Sequence, residues 1–140
     1  MSDDARPKSV TIVAWIFIVL GVIGIFSVVK GYQSIASGEF DRQIAADARI
    51  AAMVKDMPRP TLAAMLGSTA MIALEVVGAV LMLKGQKLGR TLIVVGVVGT
   101  LLISLVNGTP FRFMIPSLVI NAILFFFLFR PSANEYFNRR

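Results

Sequence analysis

The chain has 140 residues, 56% of them apolar and 16% charged, and its mean hydropathy is +0.79. Water-soluble domains sit near or below zero, so a soluble fold is excluded. The absence of Cys and His removes disulfides, thiol chemistry, haem and ordinary zinc or iron ligation, along with the usual general base near neutral pH. A net charge of +6 without a long basic run suits anionic lipid rather than nucleic acid.

Crossing a hydrocarbon core of roughly 30 Å takes about 20 apolar helical residues at 1.5 Å each. Four runs meet that requirement: about 10–29, 61–83, 88–106 and 111–129. The first is bracketed by Lys8 and Lys30, and its apolar core is longer than a signal peptide uses. The second carries one charge, Glu75; the third is charged only at Arg90; the fourth is flanked by Arg112 and Arg130, which can snorkel to the headgroups. Backbone groups in lipid must satisfy one another internally, which uninterrupted runs do as helices. The expected fold is all-α: a polytopic membrane protein with one four-helix transmembrane domain over residues 1–140, in an up-down bundle.

The connections differ in kind. Lys84 to Lys87 is a tight basic turn and Asn107-Gly108-Thr109-Pro110 a short turn-former, so spans two to four should pack as antiparallel hairpins. The long first loop, about 38–57, has few helix breakers, many Ala, and Pro58 and Pro60 at its end, which predicts an extracytoplasmic helix. Phe40, Ile44, Ala48, Ala51 and Val54 share one face, interrupted by Asp47, so the helix lies at the interface or bridges two spans in solvent.

Four spans put both termini on one face. That face holds Arg6, Lys8, Lys84, Lys87, Arg90, Arg130, Arg139 and Arg140, against six Lys and Arg on the other, which predicts cytoplasmic termini. Lys84, Lys87, Arg90 and Arg130 form a basic belt that attracts anionic lipid at about 1 kcal/mol per charge.

Glu75 is the ionisable residue well inside a span, and such groups face a partner or a wet cavity rather than lipid. Counting eight residues from the same boundary places Glu75, Asn121 and Gly96 at one depth, roughly 12 Å in. Asn121 is therefore the expected hydrogen-bond partner, and Gly96 leaves room for the carboxyl group. As helix-helix glue the pair contributes about 1 kcal/mol; the functional alternative makes Glu75 a proton or cation carrier. Gly21, Gly24, Gly67, Gly78, Gly96 and Gly99 are expected to let helix backbones approach closely. Phe125, Phe126, Phe127 and Phe129 read as a lipid- or partner-facing surface, with a platform for a pigment or quinone as the alternative, and Trp15 reads as an interfacial anchor. No phosphate-cradling loop, metal-ligand spacing or nucleophile beside a base is present, so no metal, cofactor or enzymatic activity is expected.

Arg6-Pro7-Lys8-Ser9-Val10-Thr11, Leu83-Lys84-Gly85-Gln86-Lys87-Leu88-Gly89-Arg90 and Arg130-Pro131-Ser132-Ala133-Asn134-Glu135-Tyr136-Phe137 resemble uncharacterised small four-span bacterial inner-membrane proteins. The resemblance implies a bacterial inner-membrane bundle and carries no activity with it. The function expected from the whole chain is that of a non-catalytic accessory, scaffold or assembly subunit. Its expected partners are membrane lipid and other integral membrane subunits, with a homo-oligomer left open; a small proton-coupled transporter or channel using Glu75 is the alternative.

Overall fold

The computed structural model describes residues 7–138; Arg6, Arg139 and Arg140 of the basic face lie outside the described residues. Helices are the only regular structure among the described residues: α1 (Lys8–Ala36), α2 (Glu39–Ala46), α3 (Ala48–Val54), α4 (Leu62–Leu83), α5 (Lys87–Val106), α6 (Phe111–Leu128) and α7 (Pro131–Asn138). Among them α1, α4, α5 and α6 are long and apolar enough to cross a membrane. The protein is thus a multi-pass membrane protein by the length and composition of its helices.

Local chemistry sets the helix ends. Thr61 caps α4 by accepting from the Ala64 amide at 3.2 Å. At the other end Gly85 takes φ +76, its N–H donates to the Met82 carbonyl and the Gln86 N–H to that of Leu81. This pair of bonds is a Schellman ending, which turns the chain straight into α5. Gly108 repeats the device after α5, with bonds from Gly108 to Leu105 and from Thr109 to Ser104. Pro131 opens α7, where its fixed φ is ready for a first helical turn.

Three features depart from the sequence reading. The helix expected to end near residue 29 continues to Ala36, because nothing in Lys30-Gly31-Tyr32-Gln33-Ser34-Ile35-Ala36 breaks a helix before the left-handed Gly38. The loop forms two short helices instead of one. Asp47 sits between them in extended conformation, and its carboxylate accepts from the Arg49 amide at 2.8 Å, so it ends α2 and caps α3. The polar intruder in the apolar stripe is therefore the break itself. Last, α7 is an additional helix after the fourth span.

The core is concentrated at the end where the described chain starts and stops. Val10, Val13, Ala14 and Phe17 of α1 meet Ala79 and Met82 of α4, Ile93 and Val97 of α5, Leu124 and Leu128 of α6, and Ala133 and Phe137 of α7. Phe137 is the largest fully buried side chain. We call this end the base and the opposite end the loop end. The extensive seams are α4 with α5 and α1 with α4, whereas α6 touches α1 and α5 much more sparsely. Two exposed ion pairs tie the loop end together, Arg59 to Asp41 at 2.7 Å and Arg112 to Asp56 at 2.6 Å.

Candidate functional site

Glycines build the two close seams. A Cβ on Gly78 would lie 2.7 Å from the Gly89 carbonyl oxygen, and one on Gly89 would meet Gly78 in return, so α4 and α5 touch backbone to backbone. Further along, Gly67 faces Ile103 of α5, while Gly96 and Gly99 face Met71 of α4; these pairings run antiparallel. On the other side of α4, Gly21 abuts Val76 and Gly24 abuts Ile72. All six glycines singled out in the sequence thus lie in helix-helix seams, joined by Gly89. The missed glycine had a visible signal, since Gly89 falls one heptad before Gly96 on the same helix face.

Glu75 sits among these seams in the middle of the molecule. A Cβ on Gly96 would come within 2.5 Å of its Cγ, so the absent side chain is the space the carboxyl stem occupies. Thr100, one turn on from Gly96, presents its hydroxyl to the carboxyl group. That hydroxyl is buried and closes no full hydrogen bond. Three other span hydroxyls turn back to their own helix: Ser27 donates to the Ile23 carbonyl, Thr69 to Met65 and Ser104 to Thr100. Thr100 is set apart from them by its place beside Glu75, four residues from Gly96, a spacing readable in the sequence.

Asn121 shares a cavity with Glu75 but is not its hydrogen-bond partner. Its amide nitrogen donates to the Ser117 carbonyl at 2.9 Å and to the Ser117 hydroxyl at 3.3 Å. The expected direct bond gives way because α6 stands off from α4, and a carboxamide in an apolar span is satisfied more cheaply within its own helix turn. Between them lies a cavity of about 390 Å³, walled by Phe17, Gly21, Ile72, Leu124 and the polar trio Glu75, Ser117 and Asn121. Leu20, Phe113, Pro116 and Ile120 line it too and are exposed, so the cavity opens at the outer seam of α1 and α6. Pro116 has no N–H for the Arg112 carbonyl, which weakens α6 next to this opening.

The basic belt divides. Arg90 is not free at the surface: it donates to the Asn134 side-chain oxygen at 2.5 Å, with its guanidinium 4.4 Å from the Phe129 ring centroid and 5.1 Å from that of Phe137. Asn134 in turn donates to the Phe129 carbonyl at 3.1 Å. Arg90 therefore fastens α7 to the base instead of reaching into lipid, since a planar cation gains more between two rings than in water. Lys84 and Lys87 are exposed, and Arg130 lies over Phe126 and Phe127, the outward-facing rings of α6. Trp15 is exposed on α1. Among the described residues no group of acidic side chains could hold a metal ion. No family model matches the chain, and neither a curated protein nor a solved structure is significantly similar to it.

Proposed function

We propose that the chain is a non-catalytic accessory, scaffold or assembly subunit of a larger complex in the bacterial inner membrane. In this reading it is an up-down four-helix bundle with both termini in the cytoplasm, akin to the small four-span proteins whose motifs it resembles. Its partners are other integral membrane subunits, a second copy included, and anionic lipid along Lys84, Lys87 and Arg130. The supporting observation is the apolar plug between Glu75 and the base. Phe17, Ala79, Met82, Ile93, Val97, Leu124 and Leu128 are buried there, and none offers a hydrogen-bonding side chain to water or a proton. A carrier needs polar groups or water along the whole route.

The second reading, a proton-coupled transporter in which several Glu75 side chains line one path, draws its support from the cavity beside that carboxyl. Reconstituted vesicles separate the two. The accessory reading expects wild-type protein and Glu75→Gln to leave an imposed proton gradient decaying at the rate of protein-free vesicles. A flux that appears with the wild type and vanishes in Glu75→Gln refutes it.

A further inference from the structure

The geometry points to the Glu75 cavity as a binding site for a membrane-dissolved alkylammonium, an amphiphile with an amine head and an apolar tail. The cavity has the size and character of a small-molecule site, mostly apolar with a few convergent polar groups. Its charged equipment is one-sided, and the Ser117 hydroxyl adds a group that can donate or accept. The lining holds one carboxyl and no Lys or Arg. The Asn121 donor is spent on Ser117, and its side-chain oxygen takes no hydrogen bond among the described residues. Besides the Thr100 hydroxyl that faces Glu75, the Glu75 carboxyl group and the Asn121 oxygen keep acceptor positions for a ligand that donates, and an ammonium carries three donors. Phe17 and Phe113 add apolar wall for the tail, the Phe113 ring being already covered by the Arg112 guanidinium at 4.9 Å from its centroid.

Depth and access fix the rest of the ligand. Glu75 lies eight residues, roughly 12 Å, from the base end of its helix, and the plug closes the way from that end. The opening is lateral, between Leu20 of α1 and Pro116 and Ile120 of α6, where the surface is apolar and faces lipid. A ligand entering there has to partition into the bilayer, and its tail then lies in the α1–α6 seam while the head meets Glu75. The site does not depend on the accessory reading, because binding requires neither a partner subunit nor a route across the membrane.

The test uses the full chain in phosphatidylcholine nanodiscs and equilibrium dialysis of labelled n-octylamine, with protein-free nanodiscs subtracted. Wild type is expected to bind n-octylamine saturably, with n-octanol and octyltrimethylammonium at least about tenfold weaker, because the first lacks charge and the second N–H donors. Glu75→Gln, a change of charge without a change of size, is expected to weaken n-octylamine by about tenfold or more. Ser117→Phe, on the exposed rim, is expected to fill the cavity and abolish binding while the melting temperature holds, and it carries the test should Glu75→Gln fail to fold. Equal binding of n-octanol, unchanged binding in Glu75→Gln, or unchanged binding in a folded Ser117→Phe each overturns the assignment. None of these readouts measures flux or assembly, so their failure leaves the proposed function standing.

Discussion

Substituting Gly78 by Ala tests whether the α4–α5 seam is held by backbone contact. The added Cβ would stand 2.7 Å from the Gly89 carbonyl oxygen, 3.0 Å from the Ile93 amide nitrogen and 2.9 Å from its Cγ1. The first of these is about 0.7 Å short of the 3.4 Å at which Cβ contacts become ordinary. Two of the three atoms are backbone and cannot rotate away, and Ile93, fully buried, has nowhere to move. The helices must separate, and overpacking of this kind costs about 1–3 kcal/mol. Ala returns at most about 1 kcal/mol of helix propensity. Three contacts at or under 3.0 Å put the overpacking at the upper end of that range, so the net expectation is a loss of about 2 kcal/mol, or a roughly thirtyfold shift toward the unfolded state. Unfolding in mixed micelles with increasing denaturing detergent, followed by Trp15 emission, measures it. Gly31→Ala is the internal control, since that site on α1 has no neighbour within 4 Å; it is expected to be neutral or slightly stabilising. A Gly78→Ala protein as resistant as wild type, or a Gly31→Ala protein that loses as much, refutes the reasoning.

Arg90→Lys keeps the charge but loses the planar group between Phe129 and Phe137, so about 1 kcal/mol of α7 docking is expected to go. Amide exchange across Pro131–Asn138 should accelerate while α4 and α5 stay protected; an unchanged α7 would mean that charge alone holds it. Asp47→Ala removes both the break and the cap, at a cost of about 1 kcal/mol to α3 if the break persists. Faster exchange at the Arg49 amide, or helical backbone shifts continuous from Glu39 to Val54, meets this expectation, and the absence of both refutes it.

The three later spans were legible almost to the residue because lipid imposes a simple demand, a long uncharged run, and tight glycine turns bound each one. The first span was legible only as far as Lys30. Hydropathy marks where lipid ends, while the helix continues until a residue such as Gly38 turns the backbone. The short α7 escaped because eight mostly polar residues carry no span signal, although Ala133 and Phe137, four apart behind a proline, mark one buried face. Depth counting brought Glu75 and Gly96 together, since adjacent antiparallel helices share a boundary and a register. It put Asn121 at the right height without fixing its bond, because depth says nothing of how far α6 stands from α4.

The length of α1 has a consequence for the charges of the loop. Its 29 residues measure about 43 Å, well beyond a hydrocarbon layer of roughly 30 Å. The stretch from Lys30 to Ala36 carries the helix about 10 Å beyond its apolar run before α2 begins. Asp41, Arg59, Asp56 and Arg112 pair there as exposed groups, and such pairs are worth at most about 1 kcal/mol and weaken as salt rises, whereas the apolar contacts of the base carry no such screening.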